Sequence, residues 1–448
     1  MGRLFGTDGA RGVANSELTC ELAMNIGRGA AMILTKNDNH PTVLIGMDTR
    51  MSSDMLAAAL TAGLISVGAN VMNIGVVPTP AVASLVKKYG CSAGIMISAS
   101  HNPCEYNGIK LFDGEGYKLP DEVEEEIESI VLDGAETPPC PTGGRLGRII
   151  AAPDAVSDYI KEICATTSER FEGLNVALDC ANGSSSVTAR ELFEGLGAKC
   201  HILSVQPDGV NINENCGSTH MEALCECVKN NGCDLGLAFD GDADRCLAVD
   251  GEGNIVDGDQ MMAIFAKDMK ARGVLAQDSL VVTVMSNLGL FHFAKDNGIN
   301  AVKTKVGDRY VLEEMRLNGY GVGGEQSGHV IFGDFAKTGD GQLTGVQLLS
   351  VVKRTGKNLK ELAGCITVYP QTLVNIKISN ESKARLAVDK EVNAAIKKAE
   401  AFLGDSGRVL VRPSGTEPLV RVMVEGKNQA DIERIANDVA AAIKENLC

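Results

Sequence analysis

The chain has 448 residues, 44% of them hydrophobic and 22% charged, with a formal net charge of −16 and a sequence pI near 4.9. That length exceeds what one hydrophobic core organises and implies two to four domains. The acidity argues against non-specific nucleic-acid binding, which needs a basic footprint, so an anionic ligand would require a local cluster of Arg and Lys working against the global field.

The opening stretch "MGRLFGTDGA" carries no secretory signal, and the 14 cysteines are scattered with no C-x-x-C unit, Cys225 and Cys227 being the closest pair. Reduced thiols in a cytoplasmic protein are the expectation, and metal binding by these cysteines is disfavoured. "TVLIGMDTR" (42–50) predicts a buried strand running into a polar loop. Residues 55–86 carry no charge, as a membrane span would not, but Gly63, Gly68, Asn70, Asn73, Gly75, Pro78 and Pro80 cut them into pieces too short to cross a bilayer. They read as helix, turn, strand, turn and the start of another helix. No membrane segment is expected.

Strand, helix and strand recur along the chain. "TVLIGMDTR" leads to "GANVMNIG" (68–75), "LNVALDCANG" (174–183) leads to "GAKCHILSV" (197–205), and "LVVTVMSNLG" (280–289) leads to "GINAVKTKVGD" (298–308). This is the unit of a parallel sheet with right-handed crossovers. Each unit is followed by one more strand-like run that ends in an unusual loop: "CSAGIMISASHNP" (91–103), "CDLGLAFDGDADR" (233–245) and "GYGVGGEQSGH" (319–329). Ligands of open α/β sheets gather at the carboxyl ends of strands, so the three loops are candidates to share one cleft. Between the units, "DEVEEEIE" (121–128) reads as a solvated helix start and "ETPPCPTGG" (136–144) as a loop or linker. The C-terminal part departs from the plan. "LVNIKISN" (373–380) alternates as a strand does, a polar helix follows, then "RVLVRPSGTEP" (408–418), "LVRVMVEGK" (419–427) and a last amphipathic helix, joined near Tyr369 and Pro370.

Three of these loops carry recognisable chemistry. "DGDADR" places Asp240, Asp242 and Asp244 at alternate positions, where they can turn towards one hard cation. An EF-hand is excluded, because Arg245 stands where its sixth position needs glycine and Gly251 where its twelfth needs glutamate. Like charges 4 Å apart cost about 4 kcal/mol at an effective dielectric near 20, so convergence of the three demands a cation such as Mg²⁺. "RPSGTEP" suits an anion: Arg412 offers a fork, Ser414 and Thr416 hydroxyls, Gly415 close backbone approach, and Arg421 on the next strand a second cation. Ser100 sits against His101 in "ISASHNP", which in isolation is ordinary turn chemistry. Its place in a matched set with a metal loop and an anion cradle points instead to phosphoryl transfer. No G-x-S-x-G elbow surrounds it, six histidines are too few and too scattered for a zinc phosphatase cluster, and no P-loop is present.

"ISASHNP", "FDGDADR", "GGEQSGH" and "RPSGTEP", in this order and at these separations, resemble the α-D-phosphohexomutase family over essentially the whole chain. "RLFGTDGARG" (3–12), "DGVNINENCGSTH" (208–220), "TKVGDRYVLEEM" (304–315) and Gln326 resemble its amino-sugar branch. The resemblance implies three related mixed-sheet α/β domains (1–153, 154–254 and 255–368) plus a C-terminal α+β domain (369–448) around a central cleft. It implies that Ser100 carries a phosphoryl group, that Ser100, Asp240, Asp242 and Asp244 hold one Mg²⁺ per chain, and that a hexose or hexosamine bisphosphate acts as activator. The activity implied interconverts glucosamine 6-phosphate and glucosamine 1-phosphate through a bisphosphate, feeding UDP-N-acetylglucosamine and cell-wall precursors.

By the same resemblance, Glu325 and Ser327 bind sugar hydroxyls, and Arg412, Ser414, Gly415 and Thr416 grip the phosphate that is not reacting. Arg11 and Lys110 are candidates for charge stabilisation and proton transfer; a lysine is protonated at neutral pH, so Lys110 suits an acid or electrostatic role. His101 and His329 are candidate positioning groups, a structural role being as good a reading of each. Thr7, Arg245, Gly307, Asp308, Arg309 and Arg421 complete the candidate substrate contacts. The expected partner is a small sugar phosphate, without nucleic acid or membrane; a homodimer is compatible with a sequence that fixes no oligomeric state. Two departures stand out, Met221 where the family suggests proline and Cys104 where a bulkier residue is common, and neither touches the chemistry. A phosphomannomutase or phosphoglucomutase is the near alternative, and a non-catalytic sugar-phosphate binder the remote one.

Overall fold

The computed structural model describes residues 3–6, 8–36, 41–414 and 418–447. They form two compact units, one of Met1–Met285 with Gly298–Cys365, the other of Ser286–Asn297 with Ile366–Cys448.

The first unit holds three sheets built on one plan. In the first, Thr42–Met47 runs parallel to Asn70–Val76 and to Ala93–Ile97, and Ala93–Ile97 pairs antiparallel with Tyr106–Asp113. The second repeats this with Asn175–Asp179, Lys199–Leu203, Leu235–Phe239 and Cys246–Asp250. The third repeats it with Ser279–Thr283, Asn300–Thr304, Val322–Gly324 and Val330–Phe332. The repeat expected from sequence is therefore a four-strand core in the spatial order 2-1-3-4, the last strand antiparallel. Ala93–Ile97, Leu235–Phe239 and Ser279–Thr283 are buried along their whole length. Central parallel strands are covered on both faces, which is why they read as unbroken apolar runs and not as alternation. Phe5–Gly6 and Gly9–Val13 extend one edge of the first sheet, Ile149–Ala151 the other, and Ile255–Val256 extends the second.

The uncharged stretch folds as read, into helix Met51–Ser66, strand Asn70–Val76 and helix Thr79–Lys88. No helix among the described residues is long and apolar enough to cross a membrane. The described cysteines are free thiols.

The solvated helix start expected at 121–128 needs correcting. Helix Asp121–Asp133 buries Glu124 and Glu128 together with Ile127 and Ile130. The Glu128 carboxylate accepts the backbone N–H groups of Arg3, Leu4 and Phe5 at 2.7–2.9 Å, which fixes the start of the edge strand. Burial alone would raise its pKa, but these donors hold it below the usual carboxylate value.

In the second unit, Gln371–Lys377, Leu419–Gly426 and Gly407–Pro413 form an antiparallel sheet in that spatial order. Val374, Ile376 and Ile378 point to one face, where helix Gln429–Leu447 lays down Ile432, Ile435, Ala436, Val439 and Ile443 at helical spacing. The Ser286–Asn297 segment is tied into this unit by Asn287, whose amide donates to the Tyr369 carbonyl at 2.9 Å and accepts its N–H at 3.0 Å. Gly289 is required there, since a Cβ would stand 1.8 Å from the Thr367 oxygen.

Candidate active site

In each of the three cores the connection from third to fourth strand carries the unusual loop, so the repeated topology brings the loops together at equivalent strand ends. Ser100 Oγ donates to Asp240 Oδ2 at 2.6 Å, and His329 Nδ1 lies 3.6 Å from Asp244 Oδ2. All three loops thus meet within the first unit. Two are strained: Ser100 has φ +52° and Ala243 φ +55°, left-handed values that cost residues with a Cβ about 1–3 kcal/mol each. Gly341 N–H holds the Ala243 carbonyl at 3.0 Å.

Asp240, Asp242 and Asp244 are buried, and one oxygen from each lies within 4.8 Å of the others. Burial, with Asp244 and Asp242 alongside, pushes the Asp240 pKa well above the carboxylate range. Burial would raise Asp244 too, but the charges of Lys110 and His329 hold it far below. Asp242 Oδ2 accepts Lys110 Nζ at 2.8 Å and Thr79 Oγ at 2.7 Å. Asp242 Oδ1 and Asp244 Oδ1 are buried with no hydrogen-bond partner. An all-oxygen donor set with two orphaned carboxylate oxygens fits a hard divalent cation.

Lys110 is fully buried, with Asp8 at 3.2 Å and Asp244 at 3.7 Å in addition to Asp242. Desolvation would lower its pKa, but the carboxylates of Asp242, Asp8 and Asp244 raise it, so it is a fixed cation and not a resting base. From Lys110 a closed ring of alternating groups runs through Asp244, His329, Asp308, Lys118 and Asp8 and back. Lys118 Nζ bridges Asp308 at 2.5 Å and Asp8 at 2.7 Å. Asp8 and Lys118 went unassigned in the sequence. Asp8 lies inside the quoted "RLFGTDGARG", and the signal that could have found Lys118 is a lone cation in an apolar turn, "GYKLP".

Arg11 pairs with Asp8 beside Lys110. Arg245 donates its backbone N–H to Asp240 Oδ1 at 3.2 Å and its Nη1 to His101 Nδ1 at 3.2 Å. An arginine only donates, so Nδ1 of His101 is the acceptor and its proton sits on Nε2. Burial and the neighbouring Arg245 and Arg11 lower the His101 pKa to about 4, leaving it neutral 3.2 Å from Ser100 Oγ. In the third loop Glu325 accepts the Gly307 N–H at 3.0 Å and has a pKa raised by burial, while Ser327 is exposed. Gln326 turns its amide to Asp257, the N-cap of helix Gly258–Ala271, at 3.1 Å. The Gly339 nitrogen lies 3.0 Å from His329 Nε2; burial would lower the His329 pKa, but the carboxylates of Asp244 and Asp308 raise it.

Arg309 is turned to the 119–124 segment, where it engages Asp121 and the Leu119 carbonyl and lies 3.9 Å from Glu124. Thr7 lies outside the described residues.

Burial pushes the Glu124 carboxyl up to about 7 despite Arg309. An acid whose pKa is raised on folding stabilises the fold while protonated, and that stabilisation is lost as pH rises from its ordinary 4.5 through the folded value. Glu124→Gln should therefore melt with wild type at pH 5 and a few degrees above it at pH 8, in paired thermal-shift curves.

In the second unit, Arg412 and Arg421 stand directly opposite across adjacent strands. Burial and then Arg421 lower the Arg412 pKa. Like charges placed so are unfavourable until an anion lies between them. Ser414 follows on the same strand end, its carbonyl accepting Lys383 Nζ at 3.0 Å. Gly415 and Thr416 lie outside the described residues.

Comparison with known proteins accounts for all four parts. Models described as phosphoglucomutase/phosphomannomutase, alpha/beta/alpha domains I, II and III, match residues 2–137, 157–253 and 257–369, and the model of the C-terminal domain matches 373–442. A phosphoglucosamine mutase of Clostridium novyi is 57% identical over 446 residues, spanning 99% of each chain. Among solved structures, a phosphoglucomutase/phosphomannomutase family protein from Burkholderia thailandensis superposes with a TM-score of 0.84 at 25% identity, covering 99% of this chain and 98% of its own. An N-acetylphosphoglucosamine mutase of Aspergillus fumigatus, solved with GlcNAc-6P and magnesium, has a TM-score of 0.71 at 18% identity and covers 99% and 95%. With the serine loop, the acidic triad, the third-domain loop and the facing arginines each inside its matched domain, the chain belongs to the phosphoglucomutase/phosphomannomutase family, the α-D-phosphohexomutases.

Proposed function

We propose that the protein is a phosphoglucosamine mutase, interconverting glucosamine 6-phosphate and glucosamine 1-phosphate. The full-length likeness to the Clostridium enzyme supports the sugar, and the observation that carries the chemistry is Ser100 Oγ at 2.6 Å from Asp240 inside the acidic triad.

Asp240, Asp242, Asp244 and phosphorylated Ser100 would hold one Mg²⁺, as the magnesium named with the Aspergillus structure and the orphaned oxygens both support. Bound there, the ion would neutralise charge on the transferring phosphoryl group. The bond from phosphorus to Ser100 Oγ breaks as one forms to the free sugar hydroxyl; the hydroxyl gives up its proton and the freed Ser100 Oγ takes one up, so the transfer is neutral in protons. The bisphosphate then returns its other phosphoryl group to Ser100, and a hexose or hexosamine bisphosphate primes a chain that has lost it. Lys110 supplies fixed positive charge beside Asp242, with Arg11 next to it, and neutral His101 and Arg245 flank Ser100 Oγ. Glu325 and Ser327 receive sugar hydroxyls in this reading, with Gly307, Asp308 and His329 behind them. Arg412, Arg421 and Ser414, with Gly415 and Thr416, take the second phosphate, two facing guanidiniums matching a dianion. Arg309 acts as a tie to the first domain and not as a substrate contact. Free thiols suit a cytoplasmic setting, where sugar phosphates are also found.

A ³¹P NMR time course tests this, with Mg²⁺, a trace of hexose bisphosphate and glucosamine 6-phosphate, and with mannose and glucose 6-phosphates in parallel. Rapid growth of a 1-phosphate signal from the amino sugar alone is the expected result. Preference for mannose or glucose would keep the mechanism and change the sugar, whereas no isomerisation of any of the three would overturn the enzyme reading.

A further inference from the structure

Ser100 has a strained backbone, and its carbonyl oxygen accepts two side-chain hydrogen bonds. Arg50 Nη2 donates to the carbonyls of Ser100 at 2.9 Å and Asn102 at 2.8 Å, and Nη1 to that of Pro103 at 2.5 Å. Arg50 is itself fixed: its side chain is fully buried, Nε lies 2.9 Å from Asp48 Oδ2, and the same oxygen accepts Ser98 Oγ. Ser98 Oγ in turn accepts the Ser100 N–H at 3.0 Å. The first domain therefore holds the loop from beneath at both its amide and its carbonyls.

A second grip comes from the second domain. Asn213 Nδ2 donates to the Ser100 carbonyl at 2.9 Å and to that of Asn102 at 3.2 Å, the two oxygens Arg50 also holds. Both partners only accept, so the amide nitrogen must face them. Gly241 of the metal loop closes the remaining side, since a Cβ there would fall 2.6 Å from the Ser100 oxygen and 2.9 Å from Asn213 Nδ2. Asn213 has φ +59°, a conformation that asparagine tolerates, and its own N–H is tied to the Ala181 carbonyl at 2.9 Å.

We propose that Asn213 is a positioning residue for phosphoryl transfer: with Arg50 it clamps the carbonyls of Ser100 and Asn102 and locks Ser100 in the left-handed conformation that aims Oγ at Asp240. It reaches no reacting atom and acts through the loop. The clamp joins the two domains that supply the serine and the metal-binding carboxylates, so their docking sets the distance between them. Side chains of loops held to within about half an ångström are what positional catalysis needs, and a misplacement of about 1 Å costs on the order of 10²-fold in rate. The inference rests on the mutase reading for its kinetic part alone.

Asn213→Gly removes both donors while easing the left-handed backbone, and Asn213→Asp keeps the shape but turns a carboxylate oxygen towards two carbonyls. Hydrogen–deuterium exchange over 98–104 and steady-state kinetics with Mg²⁺ are measured on both variants and on wild type. Faster exchange in that segment is expected, with kcat lower by about 10- to 100-fold, KM within about twofold, an unchanged melting temperature for the glycine variant, and the aspartate variant the slower of the two. Unchanged exchange over 98–104, or a kcat of the glycine variant within about twofold of wild type, overturns the clamp. Were wild type itself to turn over no sugar phosphate, the activity reading alone would fall and the exchange data would still decide the clamp.

Discussion

Replacing Ser100 by alanine is expected to lower kcat/KM for glucosamine 6-phosphate by about 10⁴-fold or more, the scale seen when a covalent catalyst loses its nucleophile. The loss should be chemical and not structural. Alanine occupies the left-handed region at a cost similar to serine, so the backbone at φ +52° has no new reason to move, and the Arg50 contacts to the loop carbonyls remain. Asp240 Oδ2 loses its 2.6 Å donor, a change of about 1–3 kcal/mol for a buried acceptor, which a bound cation offsets. Stabilisation of the variant by Mg²⁺, read as a rise in melting temperature, should therefore persist while activity vanishes. Mass spectrometry after incubation with a hexose bisphosphate should find one phosphoryl group on wild type and none on the variant. Activity above about one part in a hundred of wild type would place the phosphoryl carrier elsewhere and sink the assignment of Ser100.

The parts of this arrangement visible in the sequence are those with a short-range signature. Strands such as Leu235–Phe239 announce themselves as unbroken apolar runs because they are buried on both faces. The loops after them stand out because Asp240, Asp242 and Asp244 are too close in sequence to be anything but a ligand set or a solvated turn. What escaped depends on partners far along the chain. Lys118 went unassigned because its partner Asp308 lies 190 residues on. Arg50 closes "TVLIGMDTR", read only as a strand running into a polar loop; it is buried because the carbonyls of Ser100, Asn102 and Pro103 need donors there. Asn213 lies in a string quoted only as a branch marker, its partner loop more than a hundred residues earlier. The acidic run at 121–128 misled for a different reason. Glu124 and Glu128, one helical turn apart, share the inward face with Ile127, and the abundance of carboxylates masks that face.

Lys110→Met brings the metal site and the stability of the fold into one measurement. The ammonium group is 2.8 Å from Asp242, 3.2 Å from Asp8 and 3.7 Å from Asp244, and its side chain is 1% exposed. Methionine fills the space and removes the charge, leaving carboxylates buried without it. Breaking a buried pair in this way costs about 3–5 kcal/mol. In EDTA the variant should unfold at markedly lower urea concentration than wild type. In millimolar Mg²⁺ the deficit should shrink, because the ion and Lys110 share the charge of Asp242 and Asp244. The sign of the pH dependence follows from the raised pKa: the contribution of Lys110 is complete below its ordinary 10.5 and is lost only as pH passes the folded value, so between pH 6 and 9 the lysine itself adds no slope to the deficit. Activity at saturating Mg²⁺ should still fall by about 10²–10⁴-fold, since a mobile cation restores net charge but not a fixed donor beside the reacting phosphoryl group. An equal stability deficit in EDTA and in Mg²⁺ would show that lysine and ion do not share these carboxylates. A kcat equal to wild type would remove Lys110 from the chemistry and leave it a purely structural counter-ion.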